Sequence, residues 1–151
     1  FLVVTVLTAG LIAGWSSRPL SGWPERAVSA ATLPSGFAET LVASGMTSPT
    51  AFAIAPDGRI FVCQQGGSLR VIQGGSLLTP PFMTLSVNSS GERGLLGVAF
   101  DPNFATNNFV YVYYTTSTSP IHNRISRFTA NGNVVQAGSE FVLADLENLS
   151  A

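Results

Sequence analysis

"GLLGVAFDPNFATNNFVYVYYT", Gly94–Thr115, decides the reading of this chain. An apolar run of strand length stops at an Asp-Pro-Asn turn. A second run rich in Val, Tyr and Phe follows it. Two short runs of β-branched and aromatic residues bounded by turn formers read as neighbouring antiparallel strands. Continuing outward, "NRISRFT" (123–129), the turn "NGN" and "EFVLADL" (140–146) supply two more strands. Upstream the same syllable occurs: "TAFAIA", "PDG", "RIFVCQ", Gly66–Gly67, "SLRVI", Gly74–Gly75, "PFMTLSV". Pro56 and Pro102 occupy matching places, which sets a period of 46 residues (102 − 56). A four-strand unit repeated at that spacing predicts an all-β fold made of β-propeller blades, about two four-stranded antiparallel blades in this chain.

Composition fits this reading. The 151 residues are 46% hydrophobic and 10% charged, with 15 glycines and 9 prolines, a mix that suits a packed, turn-rich β protein and argues against disorder. A net charge of −1 with no basic block argues against nucleic acid as a partner. The single cysteine, Cys63, can form no intrachain disulfide, and alternation in "RIFVCQQ" places it inside a strand. The first 15 residues, "FLVVTVLTAGLIAGW", carry no charge. They read as the apolar core of a signal peptide lacking its basic start, with cleavage before Ala31 after the small residues Val28 and Ala30. The alternative over residues 1–30 is a retained membrane anchor. Either way the sequence predicts export, to a periplasm or the cell exterior.

A blade's first strand runs nearest the ring axis with neighbours on both faces, so it reads as continuously apolar. "TAFAIA" and "GLLGVAF" both do, and Gly94 and Gly97 suit a crowded position there. The connections "PDG" and "DPNFATNN" then lie on one rim, while "QQGG", "TTSTSPIHN" and the loop at 88–93 lie on the other. That places the adjacent charges Glu92 and Arg93, in "NSSGERG", where an innermost strand begins, at the mouth of the central channel. They are the candidate substrate-binding residues; the alternative is that they pair with each other in a solvated turn. Because two blades cannot close a ring, the chain is expected to be a fragment, with "FAETLV" (37–42) as an outer strand of a further blade. Its uncovered faces predict poor solubility in isolation.

Other chemistry is sparse. The spacing of Gly91, Gly94 and Gly97 is not a dinucleotide fingerprint, and no nucleophile elbow is present. Asp101 and Asn103 resemble the start of a calcium loop whose other ligands do not follow. His122 is the only histidine; with no carboxylate in "SPIHN" to orient the imidazole, it reads as a solvent-facing loop residue and not a general base. Sequons stand at Asn88 and Asn148.

Over Leu33–Ala151 the sequence resembles the soluble quinoprotein glucose/sorbosone dehydrogenases. The resemblance rests on "SGERGLLGVAFDPNFATNNFVYVYYT", "NRISRFTANG" and "SPTAFAIAPDGRIFVCQQGGSLRVI". It implies a six-bladed propeller of which residues 31–151 are the N-terminal portion, with pyrroloquinoline quinone (PQQ) at the channel mouth and supporting calcium ions. It also implies oxidation of a sugar hydroxyl by hydride transfer to the quinone, with electrons leaving to an external acceptor. Glu92 matches a position where family members have a Glu or Gln that reaches the sugar, and Gly91 and Gly94 match the backbone of that loop. The family's catalytic histidine, quinone contacts and calcium ligands fall beyond Ala151. No catalytic, cofactor or metal residue is therefore expected within this chain, and by itself it should be inactive. Two alternatives remain at this level: a secreted non-enzymatic propeller that binds carbohydrate or protein, and a lactone-hydrolysing propeller with a central metal.

Overall fold

The computed structural model describes residues 33–149. The expected signal peptide or anchor at 1–30 and the cleavage point before Ala31 lie outside them. The chain divides after Ala38 into two units. Of the first, residues 33–38 are described and form one turn, in which the Phe37 N–H donates to Pro34 O (3.1 Å). The second unit, from Glu39 onward, carries the strands.

Its first sheet consists of β1 (Pro49–Ile54), β2 (Ile60–Gln64) and β3 (Ser68–Gln73), with two short strands, β4 (Ser76–Leu77) and β5 (Met83–Thr84), both on the outer edge of β3. The second consists of β6 (Leu95–Phe100), β7 (Phe109–Thr115), β8 (His122–Asn131) and β10 (Phe141–Asn148), with β9 (Val134–Val135) also on β8. Every pairing is antiparallel and each sheet runs in chain order from first strand to last. These are two propeller blades. Both first strands carry a register shift at matching places, between Pro49 and Ala51 and between Leu95 and Gly97, so the 46-residue period extends to backbone irregularities.

Directly opposed residues share a sheet face. Ala53, Phe61 and Val71 line up across the first sheet, as do Phe100, Val110 and Phe128 across the second. These faces meet in one core in which Phe61, Cys63, Leu69, Val71, Val110 and Val112 are almost wholly buried. Phe61 stands edge-on to Phe82 (5.1 Å) and Phe100 (4.9 Å), the geometry aromatic pairs favour. The turn after β6 holds a single helical turn, α1 (Phe104–Asn107), which drops Phe104 into this core against Phe100. Asn108 closes it in the left-handed region (φ 57°), donating its N–H to Phe104 O.

Three expectations change. "FAETLV" forms no strand; Phe37 and Leu41 are each 73% exposed, because no strand among the described residues offers them a ladder. "PFMTLSV" is a strand only at Met83–Thr84, and the outer edge of the first blade is broken in two. Pro80 and Pro81 lie in the break, where they lack the N–H a ladder requires. Finally, β1 is covered on one face only. Phe52 (69%) and Ile54 (63%) are exposed on the face turned away from the second sheet, among Ile60, Val62 and Ile72.

Candidate functional site

The two sheets end in two rims, as the strand order demands. On one rim, Arg59 joins the blades: its Nη1 donates to Gly132 O (2.6 Å) and Asn133 Oδ1 (2.9 Å) while Nη2 pairs with Asp57 (2.6 Å). On the other, the β2–β3 turn, the loop at 88–94 and the loop at 116–121 lie side by side. A Val87–Thr116 bridge and the Asn88 N–H to Thr115 O bond (3.1 Å) tie the last two together.

The loop at 88–94 is built from short-range turns. The Asn88 side chain accepts the Ser90 N–H (3.1 Å), the turn that Asn favours, and Ser90 O accepts the Arg93 N–H (3.2 Å). It is then gripped from both blades. From the first, the Gln65 amide donates to Gly91 O (2.6 Å) and Arg93 O (3.0 Å), while Gln65 O accepts the Leu95 N–H (3.1 Å). From the second, the Thr115 N–H donates to Gly94 O (2.8 Å), and the Thr115 hydroxyl donates to Asn123 Oδ1 (2.8 Å). Thr50 adds a hydroxyl bond to Leu95 O (2.6 Å), joining the two first strands. Gly94 lies at the closest approach: a side chain there would run into the carbonyl of Gln65, and its φ of +143° suits glycine alone.

This frame presents Glu92 exposed, three residues before β6, with its carboxylate making no hydrogen bond or ion pair among the described residues. Arg93 is half-buried. Beside the loop is a cleft of about 400 Å3 lined by Thr47, Ser48, Gln64, Gln65, Arg70 and Ser89. Its lining offers hydroxyls, amides and a guanidinium, the groups that match polyols and anions. Gln65 is the residue sequence reading missed. Its one signal was a glutamine pair before Gly66–Gly67, and its target loop lies more than 20 residues away.

His122 requires correction. It is the first residue of β8, with its side chain only 13% exposed, not a loop residue facing solvent. A carboxylate does orient it: Asp145 of β10, 3.0 Å from Nε2. That partner is 23 positions away, and antiparallel pairing of β8 with β10 brings it in. Both ring nitrogens are engaged, since Nδ1 lies 2.7 Å from Pro120 O.

Burial pushes the Cys63 thiol up to about 12, which leaves it inert as a nucleophile. Asp101 accepts the Tyr111 hydroxyl (2.6 Å) and the Asn103 N–H (2.9 Å), bonds that hold it below the ordinary carboxylate range; these are turn contacts and not a calcium loop. Among the described residues no group of three or more His, Cys, Asp or Glu side chains is placed to hold a metal ion. No reaction step through a quinone or a calcium ion is assigned to these residues.

Residues 46–148 match the glucose/sorbosone dehydrogenase family. Among solved structures, the chain is similar to an oxidoreductase (glucose dehydrogenase) from Thermus thermophilus, with 31% identity and a TM-score of 0.63 over 70% of this chain and 31% of that one. It is also similar to the PQQ-bound aldose sugar dehydrogenase of Streptomyces coelicolor, at 26% identity and a TM-score of 0.59 over 70% of this chain and 32% of that one. Hedgehog-interacting protein of Mus musculus is 32% identical over 85 residues, 50% of this chain and 12% of that protein. The chain thus spans less than a third of the length of each of these relatives.

Proposed function

Since the chain belongs to the glucose/sorbosone dehydrogenase family, we propose that its two blades are part of an exported, PQQ-dependent dehydrogenase that oxidises a sugar hydroxyl and passes the electrons to an external acceptor. In this reading calcium supports the cofactor, which supplies the hydride-accepting chemistry when bound. The two blades contribute recognition. Glu92 accepts hydrogen bonds from sugar hydroxyls, which a carboxylate with free lone pairs can do for two at once. Arg93 contributes through the backbone of the same loop, whose carbonyl Gln65 grips. The observation that carries the reading is the exposed Glu92 carboxylate on a loop braced from both blades, within a sequence block that matches the family.

In the full-length protein supplied with PQQ, calcium and an artificial acceptor dye, aldoses should drive dye reduction. Glu92→Ala should raise KM about 10-fold or more, the worth of one or two hydrogen bonds to a charged group, with a smaller effect on kcat. The two blades alone should reduce no dye. Failure of the folded, cofactor-loaded protein to reduce dye with any aldose rejects the proposal.

The likeness to hedgehog-interacting protein favours a second reading, a secreted propeller that binds a protein partner and turns nothing over. It predicts that the full-length protein takes up no PQQ, which a titration of cofactor fluorescence or absorbance would register directly.

A further inference from the structure

At the 116–121 rim, three ionisable side chains meet across two strands. The Asp145 carboxylate of β10 accepts Arg124 Nε (2.6 Å) and Nη2 (3.1 Å) from β8, and His122 Nε2 lies 3.0 Å from the carboxylate oxygen that Arg124 Nε also reaches. The other ring nitrogen faces Pro120 O at 2.7 Å. A backbone carbonyl and an ionised carboxylate only accept hydrogen bonds, and a neutral imidazole has one N–H. Only the imidazolium can fill both contacts.

We propose that His122 is a proton-dependent staple: as an imidazolium it fastens the end of β10 and the 116–121 loop to β8, and its deprotonation releases one of the two attachments. The contacts it secures are specific. The Leu149 N–H donates to Ile121 O (2.8 Å) just past the end of β10, and the Thr116 N–H donates to His122 O (2.9 Å). The Thr116 hydroxyl also accepts the His122 N–H (3.2 Å). Thr116 in turn bridges to Val87 at the base of the 88–94 loop, so the staple borders the rim that carries Glu92.

The other charged and titratable groups around the ring keep one state near neutrality. Asp145 is held below the ordinary carboxylate range, by its bonds from Arg124 first and from His122 after that. The same carboxylate raises Arg124 further. Tyr114 on β7, beside Arg124, is pushed up by burial. Glu140 faces Tyr114 and Ser126, not the ring. Imidazole changes charge between about pH 5 and 8, where the other three keep theirs.

The inference does not depend on sugar oxidation, and its test needs no activity. Amide hydrogen exchange is measured on the full-length protein at pH 5 and pH 8, corrected for intrinsic rates. Protection of the Leu149 or Thr116 amide should fall about 10-fold at the higher pH, the loss of one charge-assisted hydrogen bond, while Phe128 in the middle of β8 is unchanged. Nitrogen NMR should find both His122 ring nitrogens protonated in the protected state. In His122→Gln the pH step should vanish. Equal protection at the two pH values in the unmodified protein overturns the proposal, and so does a step that survives in His122→Gln.

Discussion

Gly91 and Gly94 stand in one loop, both with positive φ, yet their neighbours make different demands. At Gly91 (φ +61°) a Cβ would meet nothing within 4 Å. Gly91→Ala should therefore cost only the left-handed backbone penalty, about 1 kcal/mol. At Gly94 the Cβ would meet the backbone carbonyl of Gln65, which cannot move without breaking its bond to Leu95. Gly94→Ala should cost about 3 kcal/mol, the upper part of the range for strained backbone. Chemical denaturation of the two variants checks the difference, and equal midpoints would contradict the close approach. Sequence indicated crowding at Gly94 and Gly97, and both are crowded, Gly97 against Tyr113 Cβ at 3.3 Å. Sequence could not name the partner, because Gln65 reaches the loop through space and not along the chain.

Among the elements, two turns carry part of the acid sensitivity, alongside Asp145 of β10. Asp57 is held below its ordinary value chiefly by its side-chain bond from Arg59, and Asp101 by the Tyr111 hydroxyl. A carboxylate whose folded value is depressed contributes stability fully above its unfolded value and loses it as pH falls through the folded one. Both turns should therefore weaken below about pH 4. Thermal melts from pH 5 down to pH 2 should fall, and Asp57→Asn should flatten part of that slope while lowering stability at pH 5. Arg59 makes this turn matter beyond itself, since the guanidinium that pairs with Asp57 also bonds Gly132 O of the second blade. Strand identities were legible: "RIFVCQ", "FVYVYYT" and "NRISRFT" fall on β2, β7 and β8. The failures, "FAETLV" and the split "PFMTLSV", are edge segments. An edge strand exists only if a neighbour supplies hydrogen bonds, and local pattern does not record the neighbour.

For the whole molecule, the second unit buries one face of each sheet against the other and leaves the β1 face with Phe52 and Ile54 open. An apolar groove of about 360 Å3 lies on that face. In the larger propeller proposed for this protein, a further blade covers it. Phe52→Ser should then act in opposite directions. It should reduce self-association of residues 31–151, read by light scattering, and should lower the melting temperature of the full-length protein. A variant neutral in both settings would mean that nothing packs on that face.

The sequence by itself determined the repeat, the strand-turn alternation and the inward pattern of each blade. These follow from local rules: period-two burial, turn-forming Gly, Pro and Asn, and an apolar first strand. It also placed Glu92 on a loop directly before an inner strand. Only the tertiary structure decided what touches what. Gln65 grips that loop, Arg59 joins the blades at the opposite rim, and Asp145 meets His122 from a strand 23 residues on. Each is a polar side chain whose partner is distant along the chain, and hydrogen bonds between strands depend on register and rim geometry, which no single stretch of sequence contains.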